Sequence, residues 1–382
     1  MHDDASPRTP VRVLILRALF LSVVASLLVT GIIGGLLRAG VAVPLPAHSA
    51  WPGQAVLAHA FLMICAFMGT VIGIERAIAV KARAAFAAPV LSALAGVSML
   101  AGAPMVAGWL AVLASLGFIA VNVTVVSRQK AAHTLLLLTG ATAWLVGNLL
   151  LALGSQAAAV VPWWFSFLVL TIAAERLEMT RLMRRRSGAA AALYVCLGLM
   201  LAGSAVFAVS PVWGGWLYGL SLAGLALWLV SFDIARRTIS SHGLSRYMAV
   251  CLLLGYAWLA VAGIAWIATS LGYSARVAAL HALGLGFIFS MMLGHAPVIL
   301  PALARVKLLF GWFFYVPLAL LHSSLALRLF FGPFDFALLG AGAAGNAAAI
   351  AVFAATMVAS VLAWRARHPA PHRKRHAVPA PH

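Results

Sequence analysis

The chain is a succession of apolar runs of about 20 residues, each long enough to cross the hydrocarbon layer of a bilayer as a helix. Short polar breaks separate them. Twelve such runs are legible, at 13–37, 55–74, 85–103, 106–127, 132–153, 160–177, 188–209, 212–232, 247–270, 275–299, 306–330 and 335–364. Only Gly102-Ala103-Pro104, a turn signal, parts the third from the fourth. The pattern predicts an all-α, polytopic protein with 12 transmembrane helices over residues 1–366, followed by a tail at 367–382. The first run, Val13 to Leu37, spans fully and lacks a small-residue cleavage site, so it reads as a first helix and not a cleavable signal.

Composition agrees. Of 382 residues, 64% are hydrophobic and 9% charged, with a mean hydropathy of +1.06. A soluble domain carries about 25% charged residues, so soluble and disordered classes are excluded. The net charge of +19 is an orientation signal, because cationic residues stay on the cytoplasmic side of spans. Arg8, Arg12 and Arg17 open the first span, and further groups follow the even-numbered spans: Arg76, Lys81 and Arg83; Arg128 and Lys130; Arg176 to Arg186; Arg236, Arg237 and Arg246; Arg305 and Lys307; Arg365 to Arg375. Only Arg38, Arg276 and Arg328 fall on the opposite side. Both termini are therefore expected in the cytoplasm. Trp51, Trp109, Trp163, Trp164, Trp213, Trp216 and Trp266 lie near the opposite boundary, where an interfacial aromatic belt belongs. The tail carries His368, His372, His376 and His382 among prolines and cations and cannot pack a core. It suits anionic lipid better than metal capture. Cys65, Cys196 and Cys251 all sit in apolar runs and make no Cys-x-x-Cys pattern.

Local similarities recur every four spans. Gly140-Ala-Thr-Ala-Trp-Leu-Val-Gly147 in span five matches Gly255-Tyr-Ala-Trp-Leu-Ala-Val-Ala-Gly263 in span nine. Spans two and ten share Leu57-Ala-His-Ala-Phe61 and Leu280-His-Ala-Leu283. Spans two and six end in Ile74-Glu-Arg-Ala77 and Ala174-Glu-Arg-Leu177. Three pseudo-repeated four-helix units are expected.

Ionisable side chains within spans need a partner or a task. Glu75 and Glu175 sit at cytoplasmic helix ends beside Arg76 and Arg176 and read as solvated or interhelical ion pairs. Asp233 falls in a cytoplasmic loop. Almost nothing ionic is expected in the bilayer core, which leaves the histidines. His59 and His281 lie at similar depth near the outer ends of spans two and ten, as bis-axial haem ligation requires. The competing reading is a pair of packing histidines, each bonded to a carbonyl or a serine. His322, in the outer half of span eleven, completes an outer set. His295 lies ~21 Å below His281 and only ~40° round the helix; with His133 it forms a looser inner set, in which His133 reads as an interfacial residue. Met63, four residues after His59, shares its face. Met291 and Met292 lie between the histidines of span ten. A thioether is a soft ligand for Cu(I) or haem iron, though in a bundle it commonly packs. Gly284, Gly286 and Gly294 remove bulk along span ten, for helix contact or for approach of a flat macrocycle.

Leu254-Gly-Tyr-Ala-Trp-Leu259, His281-Ala-Leu-Gly-Leu-Gly286 and Met291-Met-Leu-Gly-His295 resemble the C-terminal third of the NnrS-like family. Those are twelve-helix bacterial membrane proteins that contain haem and copper and are linked to nitric oxide stress. The resemblance implies haem b held by His59, His281, His295 or His322. It implies copper at His59, His281, His295 or Met63, and a small gaseous ligand such as nitric oxide. A looser similarity to the catalytic subunit of haem–copper oxidases rests on twelve spans with histidines on helices two and ten. The missing His-x-His on helix ten argues against an oxygen reductase. Were the chain an enzyme, the resemblance implies a haem-dependent oxidoreductase acting on nitric oxide. Two other classes remain open: a secondary transporter or permease, disfavoured by the lack of buried acids, and a haem or copper assembly or sensing factor. No Walker loop, dinucleotide motif or zinc-protease helix is present, and without a soluble basic domain no nucleic acid is expected as partner.

Overall fold

The computed structural model describes residues 11–45, 49–180, 187–304 and 306–368, with the side chains of 11–14, 302 and 303 excepted. The tail beyond His368, with His372, His376 and His382, lies outside the described residues. So do Arg8, Arg181, Arg184 to Arg186, Arg305 and the side chain of Arg12. No strand occurs among the described residues. A backbone in lipid must satisfy its own polar groups, and helices do so within one segment. Among the described residues twelve helices are long and apolar enough to cross a membrane: α1 (Ile15–Arg38), α2 (His59–Val80), α3 (Arg83–Leu100), α4 (Pro104–Arg128), α5 (Ala132–Ala152), α6 (Ala157–Met179), α7 (Ala189–Val206), α8 (Pro211–Phe232), α9 (Gly243–Ser270), α10 (Arg276–Pro301), α11 (Trp312–Phe331) and α12 (Phe336–Arg367). The chain is a membrane-embedded, all-α protein. A short helix, Trp51–Leu57, leads into α2, and 306–311 is non-helical, so α11 starts later than the apolar run suggests.

Three helices form the centre. Buried residues make up 78% of the central window of α6, 67% of α2 and 61% of α10, against 22% for α1 and 28% for α12. The other helices surround this trio, with α12 packed on α1. Sequential neighbours pack antiparallel, which alternates the chain between a basic end, where α2, α6 and α10 finish, and an opposite end, where they begin.

Two of the trio, α2 and α10, are not regular α-helix. A π-helical segment, Leu62–Gly69, lies in α2, and another, Ala282–Phe289, lies in α10, each beginning within three residues of its histidine. A third, Leu327–Phe331, lies in α11. Such widened turns gather at functional sites. Their effect is clear in α2. His59 and Met68 are nine residues apart, which at about 100° per residue would set them on opposite faces of an ideal α-helix. Both line one cavity, because the wider turns of the π segment rotate each residue less.

Small residues and buried polar bonds fix the trio against its neighbours. A Cβ on Gly69 would lie 2.5 Å from the Trp144 ring of α5, and Gly286 seats the Trp258 ring of α9. Between them α2, α4, α5 and α6 bury a network centred on Asn148. Its Oδ1 accepts from Trp164 Nε1 at 2.9 Å, and its Nδ2 donates to the Ala111 carbonyl at 3.0 Å. Each bond satisfies a group that lipid cannot. Trp164 and Trp266 are accordingly core residues, 3% and 6% exposed. The interfacial belt expected of the tryptophans keeps Trp109 and Trp213, which are exposed.

The charges at the basic end are paired differently from the sequence expectation. Arg176 ion-pairs with Asp233 at 3.3 Å, and their side chains are 2% and 1% exposed. Asp233 is therefore a buried partner of α6 and not a solvated loop residue. Its Oδ1 also accepts from the Ala235 N–H at 2.8 Å. Glu175 turns instead to Arg76 of α2, at 3.4 Å, an interhelical pair of the expected kind.

Candidate functional site

The trio encloses two cavities. The outer one, at the opposite end, has about 960 Å³ of space including its mouth. It is lined by α1, α2, α6, α10, α11 and α12, and its polar side chains are His59, His281, Arg328 and Asn346.

His59 and His281 meet there. Their ring centroids are 6.3 Å apart and their planes within 20° of parallel. His59 Nδ1 is 2.7 Å from the Gly31 carbonyl of α1, and His281 Nδ1 is 2.9 Å from the Val277 carbonyl one turn earlier. A carbonyl only accepts, so each Nδ1 carries the ring proton and each Nε2 keeps its lone pair. Histidines that ligate metals commonly hold their other ring nitrogen in the same way, donating it to a backbone carbonyl. The centroid separation also fits: a metal–nitrogen bond of about 2 Å plus roughly 1 Å from nitrogen to ring centre, taken twice, gives about 6 Å. The competing packing reading accounts for the two carbonyl bonds, but it gives no work to two lone pairs in one cavity.

The approach of α1 to His59 needs glycine. A Cβ on Gly35 would lie 2.7 Å from His59 Cε1, and one on Gly31 would lie 2.9 Å from Met63 Sδ. Gly34 takes the Ala55 backbone still closer. Gly35→Ala is therefore expected to force α1 or the imidazole aside. Overpacking of this kind costs about 1–3 kcal/mol, which a lowered thermal unfolding temperature of the purified protein in detergent would report. Of the α10 glycines only Gly284 lines the cavity; Gly286 and Gly294 pack against Trp258 and Cys251 of α9.

Met63 lines the same cavity. His322 does not. Its Nδ1 accepts from Trp258 Nε1 at 2.8 Å, and its Nε2 is 3.2 Å from Ser290 Oγ, which itself donates to the Cys251 carbonyl at 3.0 Å. Both ring nitrogens are thus engaged by protein. Level depth along the bundle grouped His322 with the other two, but its face of α11 turns to α9.

The second cavity, about 830 Å³, lies toward the basic end. Glu75, Glu175, Met291, Met292 and His295 line it. His295 Nδ1 bonds the Met291 carbonyl at 2.7 Å, and its Nε2 is buried with no hydrogen-bond partner. His133 is elsewhere, 4.0 Å from Glu178. The two cavities share Met68, Leu168 and Ile288 as a common apolar wall.

Sequence reasoning missed three parts of the site. Gly31 and Gly35 carried a signal in the small residues of span one, Gly31-Ile-Ile-Gly-Gly35. Asn346 sits in the alanine-rich stretch of α12 without one. Arg328 was legible as a cation on the wrong side of the orientation pattern, yet it is 8% exposed and lines the cavity. The bundle therefore does hold an ionic group away from the basic end.

Among the described residues no cluster of three or more His, Cys, Asp or Glu is placed to hold a metal ion. A zinc ion would need such a set. A haem iron needs only axial ligands from the protein, because the macrocycle supplies the rest.

A protein-family profile described as a domain of unknown function, DUF8744, matches residues 16–362. No curated protein matches the chain. No solved structure matches it.

Proposed function

The chain belongs to the DUF8744 family, and from that premise we propose that it is a haem-binding membrane protein whose haem b lies in the outer cavity between His59 and His281. One observation carries this reading: two near-parallel imidazoles 6.3 Å apart, each with Nδ1 tied to a backbone carbonyl. The surroundings support it. Apart from Arg328 and Asn346 the rest of the wall is apolar, and Gly35 and Gly284 present no side chain to the space. The groups that would hold the macrocycle are His59 and His281, with Phe165 and Leu285 among its apolar contacts. Haem supplies an iron centre that exchanges electrons or binds a diatomic gas. The chain's own residues fix the imidazole tautomers through Gly31 and Val277 and line the space around them with apolar side chains.

The resemblance to the NnrS-like family gives this site its biological reading, handling of nitric oxide or related nitrogen oxides in a bacterial inner membrane. The basic residues between spans support cytoplasmic termini. His59 and His281, each followed by a π segment, support equivalence of α2 and α10 within three four-helix units. Copper is the alternative occupant, since Met63 adds a thioether to the same two imidazoles. A twelve-span permease would leave the paired imidazoles without a task.

Purified protein tests the reading directly. A Soret band, pyridine haemochrome of the b type and a low-spin bis-histidine spectrum are expected, and His322→Ala should leave all three in place. A well-folded protein that stays colourless when titrated with haem would overturn it; one that holds copper instead would transfer the site to that metal.

A further inference from the structure

We infer that Arg328 makes the outer cavity a receptor for an oxyanion of the carboxylate type. Arg328 lies in the π segment of α11, is 8% exposed, and lines the cavity beside His59 and His281. Its guanidinium does not lose its proton. Its Nε is buried with no hydrogen-bond partner, and no described carboxylate pairs with it. Asp335, the one described acid at that end, is exposed and accepts from the Ala337 N–H at the start of α12. The remaining described acids, Glu75, Glu175, Glu178 and Asp233, belong to the basic end. A buried cation without a counter-charge is strongly unfavourable, and Arg328 lines the cavity. The planar fork of a guanidinium matches a carboxylate in two parallel bonds.

Two sources share this chemistry. One is a carboxylate side chain of the porphyrin itself, which would set the ring's orientation. The other is a free small oxyanion. In the first case the inference rests on the haem reading; in the second it stands without it.

Haem-free full-length protein in detergent separates them. It is titrated with haem b and with its dimethyl ester, whose carboxylates are blocked, and its thermal unfolding is followed with and without sodium formate. If the porphyrin is the source, the wild type prefers haem b over the ester by about tenfold or more, the worth of one charge-assisted bidentate contact. Arg328→Gln abolishes the preference while keeping the bis-histidine spectrum, and Arg328→Lys keeps part of it. If the source is a free oxyanion, formate raises the unfolding temperature of the wild type and of Arg328→Lys but not of Arg328→Gln, whether or not any porphyrin binds. Equal affinity for haem and ester together with no effect of formate on the wild type overturns the inference. Failure of both porphyrins to bind while formate protects removes the haem reading and leaves this one standing.

Discussion

His281→Ala, and separately His59→Ala, are expected to empty the outer cavity of haem. Losing even a second-shell partner of a metal-bound histidine costs about 10- to 100-fold in affinity, so deleting the ligand should cost more than that. Each variant should purify without low-spin absorption, or with a weak high-spin band from the one remaining imidazole. The two variants should fail alike, because the imidazoles lie 6.3 Å apart in one cavity and the haem reading uses both. Thermal unfolding of the haem-free variants should match that of haem-free wild type, since alanine at either site removes one carbonyl bond facing an open cavity. Retention of the wild-type Soret spectrum by either variant would rule out the pair as ligands.

Asp233→Ala is expected to give the largest loss of stability. Asp233 and Arg176 are 1% and 2% exposed and 3.3 Å apart. Removing one partner of a buried ion pair leaves an uncompensated charge and costs about 3–5 kcal/mol. The same change removes the bond from Asp233 Oδ1 to the Ala235 N–H, about 1 kcal/mol more by comparison with helix caps. Arg176→Met combined with Asp233→Leu should recover most of the loss, because an apolar pair of similar volume carries no desolvation penalty. A double-mutant cycle on thermal unfolding in detergent measures this. If Asp233→Ala unfolds with the wild type, the pair does not hold α6 to the α8–α9 connection.

The twelve helices were legible because their signal is length, and twenty apolar residues have few alternative readings. The histidine pair was legible for a related reason: both helices run the same way and place a lone polar residue at one depth. Depth, however, is only one of two coordinates. His322 shares the depth of His59 and His281, and its rotation about α11 gives it to Trp258 and Ser290. That rotation was unreadable because His322 stands in a regular stretch of α11, Tyr315–Ala326, and which neighbour this face meets is set only by the assembled bundle; in α2 the π segment also breaks the 100° arithmetic on which helical faces are drawn. Nothing in Leu62-Met-Ile-Cys-Ala-Phe-Met-Gly69 announces a wider turn. The charge pattern erred for another reason. It treats arginine and aspartate as solvated markers of a boundary, whereas Arg176, Asp233 and Arg328 are buried by contacts that only the assembled bundle supplies.

The wall of Met68, Leu168 and Ile288 between the cavities has a consequence for what the protein passes. An ion crossing it would shed its hydration among hydrocarbon side chains, at a cost no contact there repays. An uncharged diatomic molecule carries no such shell. That wall is therefore a high barrier to an ion and a far lower one to an uncharged apolar solute.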